Sequence, residues 1–206
     1  YEKKRNEDNG EDNRDGENHN ISWNSGIEGA PGSREIEVLR MRRMKSMVLT
    51  LLLSQGVPMI TAGDEFGFSQ SGNNNVWCQD NETAWLDWSL ADKNKELLRF
   101  FTRCIALRKK HQVFRRGQFF NLDSNPSSAD IVWQALQPGT TDWSPECHHL
   151  AFLLNGTRLE DDHFFIMLNG HRETAAEFTL PALPDGTGAG NWHKIIDTAA
   201  ASPEDV

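Results

Sequence analysis

An α/β segment followed by an all-β segment is the fold class that this sequence predicts. Residues 33–60 show a helical pattern, a glycine stop and a short apolar run, and residues 89–110 show a second helical pattern. From Val113 onwards, short apolar runs alternate with clusters of Pro, Gly, Asn and Asp, which is typical of antiparallel sheets. We therefore predict two domains, residues 1–112 and residues 113–206.

The first helix is predicted to begin after Ser33, a residue type that favours the N-cap position. Glu35 falls in the first turn, where a carboxylate interacts favourably with the helix dipole. Residues 48–53 are almost wholly apolar, so this end of the helix lacks a polar face and is expected to be covered on all sides. Gly56 suits the positive φ with which many helices end.

Val57, Met59 and Ile60 then form an apolar run that is too short for a helix and lacks alternation. Such a run predicts a strand that is buried on both faces. In sheets of this kind, the loops after the carboxyl ends of the strands carry the chemistry. The next loop, residues 62–81, contains the polar sequence GDEFGFSQSGNNNVWCQDN and is therefore the predicted functional loop.

A second helix, residues 89–110, is predicted to end the first domain, and a small antiparallel β-domain is predicted to follow it. Leu97 and Phe101 have helical spacing, and Trp85 and Trp88, just before this helix, are expected to be packing anchors. The predicted strands are residues 130–136, 150–156, 163–170, 175–183 and 193–197. From Thr198 the sequence has no closing strand, so the β-domain is expected to be incomplete.

Composition excludes several classes of function. The chain of 206 residues has a net charge of −9, whereas nucleic-acid binding requires clustered cationic groups. Lys and Arg do gather in residues 34–45 and 99–116, but their helical spacing with apolar partners favours solvated helix faces. No apolar run reaches the ~18 residues of a membrane span. We therefore expect neither a nucleic acid nor a membrane as partner.

The cysteines indicate a reducing compartment. Cys78, Cys104 and Cys147 are far apart and odd in number, which suits neither a disulfide framework nor a zinc site. The predicted location is the cytoplasm, or the plastid stroma if the source is a plant or alga. Cys78 is expected to be a small buried residue rather than a nucleophile. Adjacent histidines on a strand diverge, so His148 and His149 do not predict a metal site.

Three phrases of the sequence resemble the isoamylase and glycogen-debranching branch of the α-amylase superfamily. They are NGEDNRDGENHNISWNSGIEG, GVPMITAGDEFG and SGNNNVWCQDNETAWLDW, and the resemblance runs from Glu7 to about Thr198. The phrase around Gln79, Asp80 and Asn81 is specific, whereas GDE-type turns occur across the whole superfamily. The resemblance implies the C-terminal remnant of a (β/α)8 barrel, ending in its eighth strand and last helix, followed by a small antiparallel β-sandwich.

The resemblance also changes the interpretation of the opening segment. Residues 1–32 are rich in Asn, Asp, Glu and Gly, and composition alone predicts disorder. In the family, the corresponding segment is a long loop that follows the seventh strand and lies over the substrate cleft. Arg14 and Asp15 match its NRDG phrase and either lock the loop or form a solvated charge cluster. Trp23 either covers the cleft or pins the loop.

The catalytic groups are expected to lie outside this chain. A full barrel takes about 250 residues, and the sequence opens at Tyr1 without an initiator Met, so we expect a fragment. The resemblance places the nucleophile, the acid/base and a supporting Asp on strands four, five and seven, upstream of Tyr1. The parent would hydrolyse α-1,6 branch linkages through a covalent glycosyl-enzyme intermediate, without a cofactor. The chain alone is expected to be inactive.

The two carboxylates of the functional loop are candidate substrate-binding groups. Retaining glycosidases need two carboxyl groups about 5 to 5.5 Å apart across the scissile bond. Asp64 and Glu65 are neighbours, and neighbours in extended chain point in opposite directions, so they are not expected to be that pair. They are expected either to bond sugar hydroxyls and orient active-site groups, or to pair with a barrel Arg.

Amide side chains and one indole complete the candidate site. Amides offer both donors and acceptors to sugar hydroxyls, and an indole can stack on a pyranose face. The alternative for the asparagine run is a turn stabilised by side-chain to backbone bonds. The candidate substrate-binding residues are therefore Arg14, Asp15, Asp64, Glu65, Asn73, Asn74, Asn75, Trp77, Gln79, Asp80 and Asn81.

The expected partner is an α-glucan: glycogen, limit dextrin or starch. Because the apolar helix end and the two-sided strand need cover, we also expect association of the chain with itself or with the missing barrel half, or cleavage after folding. Two alternatives remain open. One is a non-catalytic glucan-binding or scaffold protein, and the other is an α-glucan-active enzyme of the same superfamily with a different bond specificity.

Overall fold

The computed structural model describes residues 1–123, 125, 127–171, 174–184, 186 and 192–206. The chain divides into two compact units. The first comprises Tyr1–Ala106 with Ile195–Val206, and the second comprises Leu107–Lys194. The assignment of a barrel remnant and a β-sandwich to the two predicted domains stays a prediction.

The first helix, α1, spans Arg34–Leu53. As predicted, Ser33 is its N-cap, and the Ser33 hydroxyl oxygen accepts a hydrogen bond from the backbone N–H of Ile36 at 3.4 Å. Gly56 has a φ of 98°, a left-handed conformation that glycine adopts without steric cost. No helix among the described residues is long and apolar enough to cross a membrane.

The end of α1 and the apolar residues 57–60 are predicted to be buried, but the structure buries them only in part. Leu52 is 2% exposed, but Leu51 on the next face is 38% exposed. Residues 57–60 form no strand, and Val57 and Met59 are 95% and 88% exposed. The expectation of a strand buried on both faces is thus wrong for this chain. Within the described residues, no neighbouring strand offers this segment hydrogen-bond partners.

The predicted second helix is two helices, α2 (Ser89–Lys93) and α3 (Lys95–Lys110). The break lies at Asn94, whose backbone leaves the helical region with φ −108° and ψ 33°. The Asn94 side chain donates to the carbonyl of Phe66 at 2.8 Å and so stabilises the break. The helices α1 and α3 share one buried cluster: Val48, Leu52, Leu97, Phe100, Phe101 and Cys104.

The last twelve residues of the first unit, Ile195–Val206, pack on these helices rather than trailing off as expected. Asp205 is fully buried and forms ion pairs with Lys45, at 2.6 Å, and with Arg99. The hydroxyl of Ser46 donates to that of Thr198 at 3.0 Å. A buried carboxylate with two cationic partners therefore fixes the end of the chain.

The second unit contains a three-stranded antiparallel sheet in the order β1 (Ile131–Gln134), β2 (His149–Leu154) and β3 (Phe164–Asn169). These strands confirm the predictions for residues 130–136, 150–156 and 163–170. No strand forms at residues 175–183 or 193–197 among the residues described. Pro181 lies within residues 175–183, and Pro184 follows directly after them. Proline has no backbone N–H to donate to a sheet ladder.

Candidate functional site

Side-chain amides join two loops of the first unit, residues 5–17 and residues 70–79. We call this set the amide network. Its members are Asn6, Asn9, Asp15, Asn73, Asn74, Asn75 and Gln79. The backbone N–H of Arg5 also donates to the carbonyl of Gly72 at 2.8 Å, so main chain and side chains connect the same two loops.

Asn6 is the buried link of the amide network. It is fully buried, and its Nδ2 donates to Asn74 Oδ1 at 2.8 Å and to the carbonyl of Asp15 at 3.0 Å. In return, the backbone N–H of Asn74 donates to Asn6 Oδ1 at 3.0 Å. A Cβ atom at Gly16 would clash with the side chains of Asn6 and Asn74, so glycine is required there.

Asn9 is the branching link of the network. Its Oδ1 accepts from Asn73 Nδ2 at 2.8 Å and from Gln79 Nε2 at 2.7 Å. Its Nδ2 donates to Asp15 Oδ2 at 2.7 Å and to the carbonyl of Asn75 at 2.9 Å. One side chain thus connects both ends of the asparagine run.

Asp15 supplies the negative charge of the network. Its Oδ2 accepts from Asn9 and from Asn75 Nδ2, the latter at 2.8 Å. The hydrogen bonds from Asn9 and Asn75 stabilise the carboxylate and lower the pKa of Asp15 below its usual value. Asp15 does not pair with Arg14, which lies 3.7 Å from Asp12 in an exposed pair. Arg14 is thus in the solvated charge cluster, whereas Asp15 helps to lock the loop.

The asparagine run therefore faces the opening loop. Asn73 is 6% exposed, and Asn74 Nδ2 donates to the carbonyl of Glu17 at 2.9 Å. These bonds reach across two loops, and the local turn considered as an alternative is present beside them, because Asn73 Oδ1 accepts from the backbone N–H of Asn75 at 2.9 Å. Asn6 and Asn9, which sequence reasoning missed, take part in most of the side-chain hydrogen bonds between the two loops. The only sequence signal for them was the density of asparagine in the opening segment.

Asp64 and Glu65 lie in a short 3₁₀ turn, Asp64–Phe66, and bond to nearby backbone. Asp64 Oδ2 accepts from the N–H of Thr61 at 3.2 Å, and Glu65 Oε2 accepts from that of Gly63 at 2.9 Å. Neither forms an ion pair with any residue that the structure describes. Glu65 lines an open groove of about 370 Å³ whose other walls are mostly apolar: Ile60, Thr61, Ala62, Leu98, Phe101, Thr102 and Ile105.

Three tryptophans are exposed in residues 77–88, which overlap the end of the amide network and continue beyond it. Trp77, Trp85 and Trp88 are 83%, 58% and 68% exposed. Trp85 is held in place, because its Nε1 donates to Asp80 Oδ1 at 2.9 Å. Asn81 Nδ2 donates to Gln79 Oε1 at 2.7 Å, which links this segment to the network.

The expectation that Trp85 and Trp88 are packing anchors is therefore wrong for Trp85 and only partly right for Trp88. The Trp88 ring does lie 5.5 Å from that of Phe66, yet most of its surface faces solvent. Polar and charged neighbours, such as Glu82 and Asp87, were the sequence signal that these indoles lie at the surface.

Two arginines of α1 pin the loop that contains Trp23. Arg43 lies over the Trp23 ring at 4.4 Å and donates to the Trp23 carbonyl at 2.8 Å. Arg40 donates to the carbonyls of Gly29, at 2.5 Å, and Asn24, at 2.9 Å. Trp23 thus pins its loop. The expectation of a solvated basic face on α1 is wrong for Arg40 and Arg43, because backbone carbonyls satisfy them.

One cluster of donor side chains among the described residues has metal-ligand spacing: His111, Asp161 and Asp162. His111 Nδ1 lies 2.7 Å from Asp161 Oδ1, and Asp161 Oδ2 accepts from the N–H of Val113 at 3.0 Å. Burial opposes the charge of Asp161, but the bonds from Val113 and His111 outweigh it and lower its pKa. Both carboxylate oxygens are already used, so this cluster fits a hydrogen-bonded pair better than a metal centre.

The proteins to which this chain is similar are much longer than the chain. No protein-family model matches the chain. It is 43% identical, over 96% of its length, to a glycogen operon protein GlgX homolog of Mycobacterium tuberculosis, and it covers 29% of that protein. It is 35% identical, over its whole length, to isoamylase 1, chloroplastic, of Oryza sativa subsp. japonica, of which it covers 24%. The chain therefore spans less than a third of these relatives.

A solved structure shows a related fold. The pullulanase of Paenibacillus barengoltzii, in a mutant complexed with maltotetraose, matches with a TM-score of 0.53 and 26% identity. The match covers 68% of this chain and 20% of that enzyme. Together with the sequence relatives, it confirms the resemblance seen in the three phrases.

Proposed function

We propose that this chain, a homologue of GlgX-type proteins and isoamylases, is the C-terminal part of a debranching enzyme that hydrolyses α-1,6 branch linkages in glycogen, limit dextrin or starch. The alignment with the GlgX homolog over 96% of the chain carries the proposal. The catalytic carboxylates would belong to upstream barrel strands, and the isolated chain would be inactive. Relatives from bacteria and from chloroplasts support action in the cytoplasm or the plastid stroma.

The loops of the first unit would position the substrate. In this proposal, the amide network sets the relative position of the two loops. Exposed groups of the same unit contact the sugar: the indoles of Trp77 and Trp85, with the carboxylate of Asp64 and the amide of Asn81. Indole faces stack on the C–H faces of pyranose rings, while carboxylates and amides bond hydroxyls, so the set suits a polyhydroxylated neutral ligand.

The exposed apolar groups of the first unit support association with a further part of the barrel. Leu51, Val57 and Met59 are exposed, and the apolar groove beside Glu65 adjoins the same segment. Large apolar side chains exposed in this way are typical of a protein interface when they form one surface. We propose that the upstream barrel strands of the longer polypeptide, or a second copy of the chain, cover it.

The test compares the 206-residue chain with a longer polypeptide that includes the upstream strands. We expect release of reducing ends from limit dextrin by the longer polypeptide and none by the chain alone. Chromatography of the chain at several concentrations should show association. Activity of the isolated chain, or a longer polypeptide that leaves limit dextrin intact, would contradict the proposal.

A non-catalytic glucan-binding protein is the second candidate, and the exposed indoles of Trp77, Trp85 and Trp88 favour it. Under this alternative, the chain alone binds glycogen tightly and the longer polypeptide releases no reducing ends. A sibling enzyme of different bond specificity is distinguished by its substrate, because it would cleave unbranched amylose faster than the α-1,6 bonds of pullulan.

A further inference from the structure

The second unit carries an exposed aromatic surface of its own. Trp133 of β1 lies opposite Phe152 of β2, with ring centroids 5.1 Å apart. Trp143, from the segment between these strands, meets Trp133 edge-on at 5.7 Å and an interplanar angle of 70°. We call Trp133, Trp143 and Phe152 the aromatic patch.

The aromatic patch is not the core of its unit. The core contains Val113, Phe114, Ile131, Leu154 and Phe164, all of which are buried. On the same face of the sheet, two residues beyond buried Ile131, Trp133 is 36% exposed, and Trp143 is 65% exposed. The sheet face thus passes from a buried end to an open aromatic end.

The size of the patch disfavours a protein partner. An aromatic side chain buries at most about 150–250 Å². Two partly exposed indoles therefore offer far less than the ~800 Å² that each partner contributes to a stable protein interface. A narrow ligand, which needs only one or two ring contacts, fits the exposed area better.

The neighbouring side chains fit a neutral ligand rich in hydroxyl groups. The segment that carries Trp143, residues 135–147, contains no Lys or Arg, so it offers nothing to a polyanion. It contains Thr140, Thr141, Asp142 and Ser144, whose side chains can bond hydroxyls. Flat aromatic faces with hydroxyl and carboxylate groups beside them are the combination that pyranose rings require.

We propose that the aromatic patch is a second glucan-binding surface, on which pyranose rings of an α-1,4-linked chain stack against Trp143 and Trp133. This inference rests on the proposed function for the choice of an α-glucan as the sugar. The surface belongs to the second unit, whereas the functional loops belong to the first. A branched polymer that reaches both sites gains avidity without any new contact.

The test uses the full chain with ¹⁵N-labelled tryptophan, in which each of the seven indole N–H signals is assigned by a Trp→Phe variant. Titration with maltohexaose should shift the signals of Trp143 and Trp133. Trp143→Ala should weaken maltohexaose binding at the patch about tenfold, since ring contacts contribute on the order of 1.4 kcal/mol. Trp143→Phe, which keeps a ring, should retain most of the affinity.

The control is Phe119→Ala, which removes an aromatic ring of the same unit that is 100% exposed and outside the patch. It should leave binding unchanged. Unshifted Trp143 and Trp133 signals, or equal losses in Trp143→Ala and Phe119→Ala, would overturn the inference. Association of the chain with itself that Trp143→Ala abolishes, without any maltohexaose shift, would also overturn it and would assign the patch to protein contact.

The NMR titration of the aromatic patch and the assay of debranching activity can give independent results. Shifted patch signals in a longer polypeptide that releases no reducing ends would support the glucan surface and contradict the debranching activity. Hydrolysis of limit dextrin by a polypeptide whose Trp143 and Trp133 signals do not shift would support the debranching activity and contradict the glucan surface. Trp77→Ala, in the functional loop, should leave the shifts of Trp143 and Trp133 unchanged.

Discussion

The opening loop and the final segment of the first unit are held by opposite kinds of contact. Around Asp15, neutral side-chain amides connect two loops. At Asp205, a fully buried carboxylate pairs with Lys45 and Arg99 against an apolar helix pair. Both arrangements tie residues far apart in sequence, but only the second buries a carboxylate completely.

Because the contacts differ, removing one of them by substitution or by acid is expected to lower stability by a different amount in each region. Each bond of the amide network contributes about 0.5–1.5 kcal/mol net, because water competes for the same groups. Removing one member of a buried ion pair costs more, since the remaining charge is left without a partner in an apolar environment. The final segment should therefore unfold only with the helices, whereas the loops can open locally. Four variants or conditions test this contrast.

Asp205→Ala should have the largest effect. It leaves Lys45, which is 3% exposed, buried without its carboxylate partner. We expect a loss of about 3–5 kcal/mol in the free energy of unfolding, measured by urea titration. Glu204→Ala, at the exposed neighbouring position, is the matched control and should change stability by less than about 0.5 kcal/mol. Equal stability of the two variants would remove the contrast between the two regions.

Asn9→Ala should have a smaller and more local effect. It removes the acceptor for Asn73 and Gln79 and a donor to Asp15. We expect a loss of about 1–3 kcal/mol in the opening free energy of residues 73–79, measured by hydrogen exchange. Asn20→Ala is the control, since its side chain bonds within the opening loop, to Glu2 and Ser22. Unchanged exchange in Asn9→Ala would contradict the network.

Acid should loosen the amide network without unfolding the helices. Hydrogen bonds from Asn9 and Asn75 lower the pKa of folded Asp15, whereas the unfolded value is about 3.9. The stabilisation is therefore complete above about pH 4 and is lost as the pH falls through the lower, folded pKa. The side-chain amide signal of Asn75 should follow this loss. In Asp15→Asn that signal should be insensitive to pH, and a persistent acid transition would assign the effect to another group.

Arg34→Ala should have the smallest effect. Arg34 and Glu37 form an ion pair at 3.1 Å, but their side chains are 81% and 48% exposed. We expect a change of less than about 0.5 kcal/mol in the unfolding free energy. A loss comparable to that of Asp205→Ala would show that burial does not determine how much each ion pair of this unit contributes to the free energy of unfolding.

The sequence predicted the local features of the fold well. The N-cap at Ser33 and the positive φ at Gly56 depend on residues a few positions away, so pattern alone suffices. Three strands of the second unit followed from alternation and turn residues. The break at Asn94 was missed because it depends on a bond to Phe66, which lies far from it in sequence.

The candidate site was predictable as a set of residues but not as an arrangement. The run of asparagines marked the functional loop, yet no pattern shows that Asn6 and Asn9 receive its side chains. Likewise, no sequence signal pairs Asp205 with Lys45. These contacts depend on how distant segments meet, and single-residue preferences do not contain that information.

Because Arg40 and Arg43 of α1 bind the loop that contains Trp23, the position of this loop depends on the position of α1 in the hydrophobic core. Arg40 and Arg43 bind backbone carbonyls of the loop, and Arg43 also contacts the Trp23 ring and donates to Ser25 Oγ at 2.6 Å, so residue changes in the loop at positions other than Trp23 and Ser25 leave these contacts intact. The same helix continues into Leu52 at the centre of the buried cluster. A ligand that displaces the loop must therefore either break these bonds or shift the helix, and a rigid core resists the second route.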